Sequence, residues 1–173
     1  MNKTLKVMDD MGVVTVTYEE MKKYHDQDFL GGVALAFKVL ELAFRELLDG
    51  EVPRRDKIRL VLGHNPPGLV DGFEYVTRAI TRQRAIFDPT ISKGLLSAYG
   101  RFYFEVHYEK KKIVMWLKDN LLPEDFLEVS RKCRGGLASE EEQSRLKDYK
   151  IELGNTIIEK DPEEVLEIGE LIK

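Results

Sequence analysis

The segment VLGHNPPGLVDGFEYVTRAI (residues 61–80) places a histidine, an amide and a carboxylate around two consecutive prolines. His64 ends an apolar run, Asn65 precedes the prolines, and Asp71 falls in the expected first turn of a helical pattern. Imidazole and carboxylate groups together can move protons at neutral pH or bind a divalent metal. Because proline fixes its backbone, neighbouring polar groups lose less entropy when a ligand binds. The segment therefore predicts one wall of a polar pocket.

Two other segments offer side chains for the remaining walls. His25 lies in YHDQDFLGG, between two helical stretches, and Lys93 precedes a glycine in SKGLL. Thr77 follows Asp71 by about one and a half helical turns, so the two can share a helix face. We predict that these groups converge on a small ligand. The predicted ligand-binding residues are His25, Asn65, Asp71, Thr77 and Lys93.

The metal-binding capacity of the chain is limited by its single cysteine, Cys133. An iron–sulfur cluster or a zinc ribbon needs several thiolates, so we predict that the chain holds neither. His25 and His64, with Asp71, would suit zinc or non-haem iron if the fold joined them. We expect at most a weakly bound divalent metal at His25 or His64, of unspecified identity.

Composition narrows the class of protein. The chain has 173 residues, of which 43% are hydrophobic and 34% charged, with a net charge of −4. An acidic balance argues against nucleic acid as a partner. No stretch approaches the roughly 20 apolar residues of a membrane span, and the N-terminus lacks the apolar core of a secretory signal. With a single cysteine, these features predict a cytoplasmic protein that binds neither nucleic acid nor membrane.

Hydrophobic periodicity predicts the elements that must position these side chains. Alternation indicates strands, and capping boxes at Thr17/Glu20 and Ser139/Glu142 mark helix starts. The predicted fold is α+β, with an antiparallel or mixed sheet packed with helices in residues 1–120 and a helical C-terminal extension, 121–173, packed on that core. The predicted elements of the core are a hairpin over 3–16, helices over 18–24, 33–48 and 68–81, a strand over 58–62 and a hairpin over 101–117. In the tail, one helix is predicted to start near Pro123, a second to run from Ser139 to about Leu153, and a third to start at Pro162.

The predicted helix over residues 33–48 is apolar around most of its circumference. Such a helix must be buried on more than one side. A sheet can cover one side, whereas the other needs a second layer or a partner subunit. We therefore predict a homodimer that uses this helix or the hairpin at residues 101–118.

Three segments of the chain together resemble the core domain of the FmdE-like family, over roughly residues 17–120: YHDQDFLGGVALAFK, NPPGLVDGFEYVT and KGLLSAYGRFYFEV. The family takes its name from a subunit of formylmethanofuran dehydrogenase. The family's first motif, aromatic-H-G-H-x-C-P-G, precedes a long helix, and its third is K-G-N followed by Y-G-K. Its metal-binding cysteines are missing, and its C-terminal zinc finger has no counterpart in the tail. Matching residues are His25, Gly31, Asn65, Asp71, Thr77, Lys93, Gly94, Tyr99 and Gly100; the departures are Gln27 for the second histidine and Phe29, Gly68 and Ala79 for cysteines.

The resemblance implies association with the molybdenum or tungsten enzyme that forms formylmethanofuran from carbon dioxide in methanogenesis, a part of one-carbon metabolism. We expect an FmdE-like protein with a polar small-ligand pocket and an enzyme-complex partner, which is not itself the redox catalyst. Two alternatives stay open. One is a non-redox transferase or hydrolase that uses His25 and Asp71, and the other is a binding or scaffolding module whose site has decayed.

Overall fold

The computed structural model describes residues 3–26 and 30–173, and the predicted α+β class is confirmed. Two one-turn 3₁₀ helices, Arg55–Lys57 and Asp119–Leu121, accompany the main elements. In chain order these elements are β1 (Thr4–Asp9), β2 (Gly12–Thr17), α1 (Tyr18–Tyr24), α2 (Leu30–Leu48), β3 (Ile58–His64), α3 (Pro67–Thr77), β4 (Ala85–Phe87), β5 (Leu96–Ser97), β6 (Gly100–Tyr108), β7 (Lys111–Leu117), α4 (Phe126–Arg134), α5 (Glu140–Glu159), α6 (Pro162–Val165) and β8 (Leu166–Ile172).

A six-stranded mixed sheet forms the centre of the fold. Its strands lie in the order β4-β3-β6-β7-β8, and the short β5 pairs with the start of β6. The β3–β4 pair is parallel, and the other pairs are antiparallel. In β6, Phe102, Phe104 and Val106 point into the core, as their alternation predicts. The predicted hairpin of β6 and β7 and the N-terminal hairpin of β1 and β2 are both confirmed.

Helix α2 lies against the inner face of this sheet and is covered by α3 and α5 on its other sides. Its apolar residues, among them Val33, Leu40 and Leu47, are buried. Lys38 is also buried, and its ammonium group donates a 2.7 Å hydrogen bond to Glu41. The same chain therefore covers the whole apolar circumference of this helix. Of the two expected ways to cover α2, a second layer or a partner subunit, the structure shows a second layer, which the C-terminal tail supplies.

Helix α3 is shorter than predicted: it starts one residue before Gly68 and ends four residues before Thr81. It begins at Pro67, so Asp71 lies in its second turn and not in its first. It ends at Thr77 because Arg78 adopts a left-handed conformation, with φ 53°. Glu74 accepts the hydrogen bonds of the next backbone amides, from Ile80 at 2.9 Å and Thr81 at 3.1 Å, which would otherwise continue the helix. An interaction with the positive N-terminal end of α3 therefore does not explain why a carboxylate stands at position 71.

The C-terminal tail is helical only in part. Helix α4 starts at Phe126, after a turn opened by Pro123, and α5 continues to Glu159 beyond its predicted end. The capping box that starts α5, with Ser139 and Glu142, is confirmed. The helix expected after Asp161 is a single turn, and the chain then enters β8, which pairs antiparallel with β7. The tail thus completes the central sheet as well as covering α2.

None of the described helices combines the length and the apolarity that crossing a membrane requires.

Candidate functional site

Two of the predicted ligand residues meet directly. His25 ends α1, where its backbone N–H reaches the carbonyls of Met21 and Lys22, and Asp71 projects from α3. The His25 Nδ1 atom lies 2.7 Å from Asp71 Oδ2, although 46 positions separate the residues. The His25 side chain is 8% exposed and that of Asp71 is 38% exposed. The buried Nε2 atom of His25 has no hydrogen-bond partner among the described residues.

The other three predicted ligand residues lie apart from this pair. Thr77 is fully buried, and its hydroxyl donates to the Phe73 carbonyl at 2.7 Å, a bond local to the end of α3. Lys93 is exposed, with its amine 5.0 Å from the centre of the Trp116 ring. The Asn65 side chain is exposed at the opposite end of α3 from Thr77. The structure therefore joins His25 and Asp71 and does not assemble the five residues in one place. Residues 27–29, which belong to the HDQD segment or follow it, lie outside the described residues.

A separate cavity of about 650 Å³ opens beside the N-termini of α2 and α3. This volume lies in the range typical of small-ligand sites. The side that belongs to the core comes from three distant stretches: Gly31 and Gly32 of α2, the Pro66–Gly68 turn, and Ser97, Tyr99 and Phe102 around β5 and β6. Helices α4 and α5 of the tail supply the opposite side. Each of the three segments that carry the family resemblance thus contributes to this cavity.

Glycine at position 32 allows the N-termini of α2 and α3 to lie side by side. A Cβ atom added to Gly32 would fall 2.7 Å from the backbone nitrogen of Leu69. No side chain fits there without moving one of the two backbones. Both helices therefore present their N-terminal ends, which carry partial positive charge, to the same cavity.

His64 was a candidate metal ligand, and the structure places it in the cavity wall. Its Nδ1 atom lies 2.9 Å from the Ser97 hydroxyl oxygen, and its ring stacks on Phe102 with 4.0 Å between centroids. Burial lowers the pKa of His64 to about 3, so the ring is neutral at physiological pH. Because the Ser97 hydroxyl also lies 2.9 Å from the Gly100 carbonyl, it can donate there and accept from His64 Nδ1–H. That arrangement leaves Nε2 as a hydrogen-bond acceptor.

The tail contributes three basic side chains to the cavity, Arg134, Lys147 and Lys150. The Arg134 guanidinium lies over the Tyr99 ring, 4.1 Å from its centre. Burial lowers the pKa of Lys150. The described lining residues include no aspartate or glutamate. None of these three residues was among the predicted ligand residues, because the tail was expected only to cover the core. The sequence signal that could have identified this side of the cavity is a set of residues that recur along one helix face: Gln143, Lys147, Lys150 and Gly154.

The two histidines of the predicted metal site do not lie together. The described residues contain no cluster of three or more histidine, cysteine, aspartate or glutamate side chains placed to hold a metal ion. His25 pairs with Asp71 and His64 with Ser97, so each ring belongs to a different local environment. A tightly held zinc ion takes three or four protein ligands, which these pairs do not supply.

No protein-family model matches the chain, and no curated protein matches it. The fold and the cavity therefore identify a class of protein and not a family. It is an α+β protein in which a mixed sheet, two adjacent helix N-termini and a C-terminal helical layer enclose a cavity of ligand size.

Proposed function

We propose that this chain is a small-ligand-binding protein of the FmdE-like type, related to the formylmethanofuran dehydrogenase component of that name. The observation that carries the proposal is that all three motif segments of the resemblance line one cavity, although they are spread over some 70 positions of the chain. The hydrogen bonds of turns and helix caps form between residues close in sequence, so they do not explain why distant motifs lie together. A shared ligand site gives one.

In this proposal the protein assists an enzyme of one-carbon metabolism and does not carry out the redox step. A single cysteine cannot hold an iron–sulfur cluster, which needs several thiolates. The protein would act in the cytoplasm of a methanogenic cell as a partner of a molybdenum or tungsten enzyme. Co-purification of that enzyme with the tagged chain would support the partnership, and a chain that purifies alone from such a cell would remove it.

Ligand binding can be tested with N-phenyl-naphthylamine, a neutral probe that fluoresces in apolar surroundings. We expect one probe to bind per chain, and Leu153→Trp to abolish binding by filling the cavity. Ile151→Trp is the matched control because this side chain lies on the same helix and is exposed. Ser144→Trp, at the less buried end of the cavity, provides a second blocking variant if the first does not fold. Equal binding by all four proteins would reject the cavity as a ligand site.

The hydrogen bond between His25 and Asp71 favours a second candidate, a non-redox transferase or hydrolase. An imidazole that is oriented by a carboxylate can accept a proton through its other nitrogen. Hydrolysis of p-nitrophenyl acetate and p-nitrophenyl phosphate, compared between the wild-type chain and Asp71→Asn, tests this candidate. Equal rates for the two proteins would exclude the pair as catalytic machinery for these substrates.

A weakly bound divalent ion at His25 is the related metal proposal, tested by metal analysis of wild-type and His25→Gln protein.

A homodimer remains part of the proposal, now with the β6–β7 hairpin as the contact. The outer face of this hairpin carries Tyr103 and Trp116, which are partly exposed. Aromatic side chains of this kind are enriched in protein interfaces. Light scattering at micromolar concentration should give the mass of two chains, and Trp116→Glu should give the mass of one. A wild-type monomer would reject this part of the proposal.

A further inference from the structure

Arginines surround the C-terminal end of α3, and two of them have structural roles. Arg55 donates to the carbonyl of Val76 at 2.8 Å and to that of Tyr75 at 3.4 Å. Arg84 donates to the Thr77 carbonyl at 2.9 Å. Carbonyls in the last turn of a helix have no partner within the helix, and these bonds supply one. The end of α3 is therefore satisfied without a further cation.

Three other arginines nearby have exposed side chains and are called the arginine patch: Arg59, Arg78 and Arg82. Arg59 lies in β3, whereas Arg78 and Arg82 lie in the turn between α3 and β4. In that turn the Arg82 backbone N–H donates to the Arg78 carbonyl at 3.2 Å. None of the three forms an ion pair within the part of the chain that the structure describes. Their guanidinium groups are free to bind a group outside the chain.

The arginine patch lies around the two structural arginines. Arg84 donates to the Arg55 carbonyl at 3.0 Å, so these two are neighbours. Burial lowers the pKa of Arg84, and the charges of Arg59 and Arg82 act in the same direction. Burial also lowers the pKa of Arg55, and the charge of Arg78 adds to that effect. Like charges brought together in this way repel one another, so packing within the chain does not explain the group.

The acidic residues whose charges act on the two structural arginines are Asp9, Asp56 and Glu74. Each of them has a partner of its own. Asp56 pairs with Arg54 at 3.0 Å, and Asp9 accepts a backbone hydrogen bond from its own turn. Glu74 accepts the backbone hydrogen bonds after α3. On the neighbouring strand β6, Glu105 accepts hydrogen bonds from within that strand. These carboxylates therefore leave the arginine patch unpaired.

Strand β4, at one edge of the six-stranded sheet, adds an exposed apolar side chain beside the arginines. Ile86 is 62% exposed and is aligned with Val61 of β3. Leu60 and Leu62 are buried in the core, so the residues that alternate with them point to the outer face. Arg59 and Ile86 therefore lie on the same outer face of two adjacent strands.

We propose that the arginine patch and Ile86 bind a short acidic segment of a partner protein, in which carboxylates flank an apolar side chain. A guanidinium can bind a carboxylate through two parallel hydrogen bonds. Arginine is enriched in protein interfaces, where the centre of the contact is apolar. The arginine patch and Ile86 are not part of the described lining of the cavity, so this inference goes beyond the proposed ligand site and does not depend on it.

A protein segment fits this surface better than a nucleic acid does. A nucleic acid carries a phosphate at every nucleotide and binds along a continuous basic track. Here the carboxylates of Asp56 and Glu105 lie close to the arginines and would repel an extended phosphate backbone. The net charge of −4 opposes such binding further. A short segment can place its carboxylates at the arginines and its apolar side chain on Ile86.

Fluorescence anisotropy of the full chain with a labelled peptide of glutamates around a central leucine tests the proposal. Low ionic strength is used because salt screens exposed charges. We expect this peptide to bind at least about tenfold more tightly than the same peptide with glutamines. Arg59→Gln/Arg82→Gln should lose about that factor and unfold at the wild-type temperature, because both side chains are exposed. Equal binding of the two peptides, or no binding to the folded chain, overturns the proposal.

A control double variant, Arg131→Gln/Lys173→Gln, changes the net charge equally at exposed positions. Arg131 lies in α4, and Lys173 follows β8, at the opposite edge of the sheet from β4. This variant should bind the glutamate peptide within about twofold of the wild-type chain. An equal loss in the control and in Arg59→Gln/Arg82→Gln overturns the proposal, because net charge alone would then explain the binding.

The class of partner is resolved by two further measurements. Ile86→Thr, which keeps a β-branched side chain, should weaken binding of the leucine-bearing peptide by about threefold and leave an all-glutamate peptide unchanged. Oligothymidylate of the same charge should bind at least about tenfold more weakly than the leucine-bearing peptide. Oligothymidylate that binds as tightly as the peptide overturns the protein partner in favour of a nucleic acid. Equal losses of both peptides in Ile86→Thr overturn the apolar contact.

Discussion

The two buried histidines show how the surroundings of a residue set its chemistry. His25 contacts the carboxylate of Asp71, whereas His64 contacts a hydroxyl and an aromatic ring. From sequence, both were candidate ligands of the same weak metal site. In the structure they belong to different places, one beside α1 and the other in the wall of the cavity. Residue type alone therefore did not distinguish their roles.

The depressed pKa of His64 predicts a specific pH dependence of stability. The imidazole in the unfolded chain takes up a proton near pH 6.5, whereas in the folded chain its pKa is about 3. Between these values protonation favours the unfolded chain, so the contribution of His64 is complete above pH 6.5 and is lost as the pH falls towards 3. The free energy of unfolding should fall by about 1.4 kcal/mol per pH unit from this group, or about 2 kcal/mol between roughly pH 6.5 and 5.

Urea denaturation at several pH values measures this loss. His64→Gln should show a shallower pH dependence than the wild-type chain. Nuclear magnetic resonance that detects a protonated His64 ring at about pH 5 in the folded chain would contradict the expectation.

The contact between His25 and Asp71 predicts unequal effects of two substitutions. Asp71→Ala removes the acceptor and leaves the buried His25 Nδ1 atom without its partner, which should cost about 1–3 kcal/mol of unfolding free energy. Asp71→Asn retains an oxygen that can accept the same bond, so its cost should be smaller. Urea denaturation of both variants at neutral pH measures the difference. Equal stability of the alanine variant and the wild-type chain would show that this bond does not stabilise the fold.

At the scale of elements, strong local signals allowed correct prediction. The Thr17/Glu20 and Ser139/Glu142 capping boxes mark the starts of α1 and α5, and the alternation of residues 101–117 identifies the β6–β7 hairpin. The ends of α3 and α5 were less accurate, because a helix can stop or continue through tertiary contacts. Strand β8 was missed because its charged sequence, LEIGELI, has little strand pattern, and β7 supplies its hydrogen bonds.

Adjacent glycines at the start of α2 predict opposite responses to alanine. In Gly32→Ala the new Cβ would meet the backbone of Leu69 at 2.7 Å and force α2 and α3 apart, which should cost about 1–3 kcal/mol. In Gly31→Ala the nearest atom is the Lys150 carbonyl oxygen at 3.4 Å, so the contact is ordinary. That variant should be neutral or more stable by up to about 1 kcal/mol, since alanine favours helix. Thermal unfolding of the two variants makes the comparison, and equal stabilities would disprove the close approach of α2 and α3.

At the scale of the whole molecule, the cavity depends on contacts between distant parts of the chain. Gly31 and Lys150 approach each other although most of the chain separates them, and no local pattern announces such a contact. Residues from all three segments of the resemblance line the cavity, whereas the predicted ligand residues His25, Asn65, Asp71, Thr77 and Lys93 are not part of its described lining. The tail residues lay outside the resemblance, so the basic side of the cavity could not be predicted from it.

The dependence of the core on the tail gives a final prediction, about fragments of the chain. Although residues 1–120 and 121–173 differ in character, α5 covers α2 and β8 completes the sheet beside β7. At about 1.5–3 kcal/mol for each buried apolar side chain, the six buried tail residues contribute roughly 9–18 kcal/mol, at least as much as the whole stability of a typical domain. These residues are Leu146, Leu153, Ile157, Ile158, Val165 and Leu166.

We therefore expect the fragment 1–120 alone to lack a cooperative unfolding transition and to aggregate, because the apolar surface of α2 and the edge of β7 would be exposed. Circular dichroism during heating measures the transition. Adding the separate fragment 121–173 should restore it, since the second layer and the last strand are then supplied in trans. A cooperative transition in 1–120 by itself, at a midpoint close to that of the full chain, would show that the core does not need the tail to fold. Helices α4 and α5 would then be a layer that covers the core without holding it together.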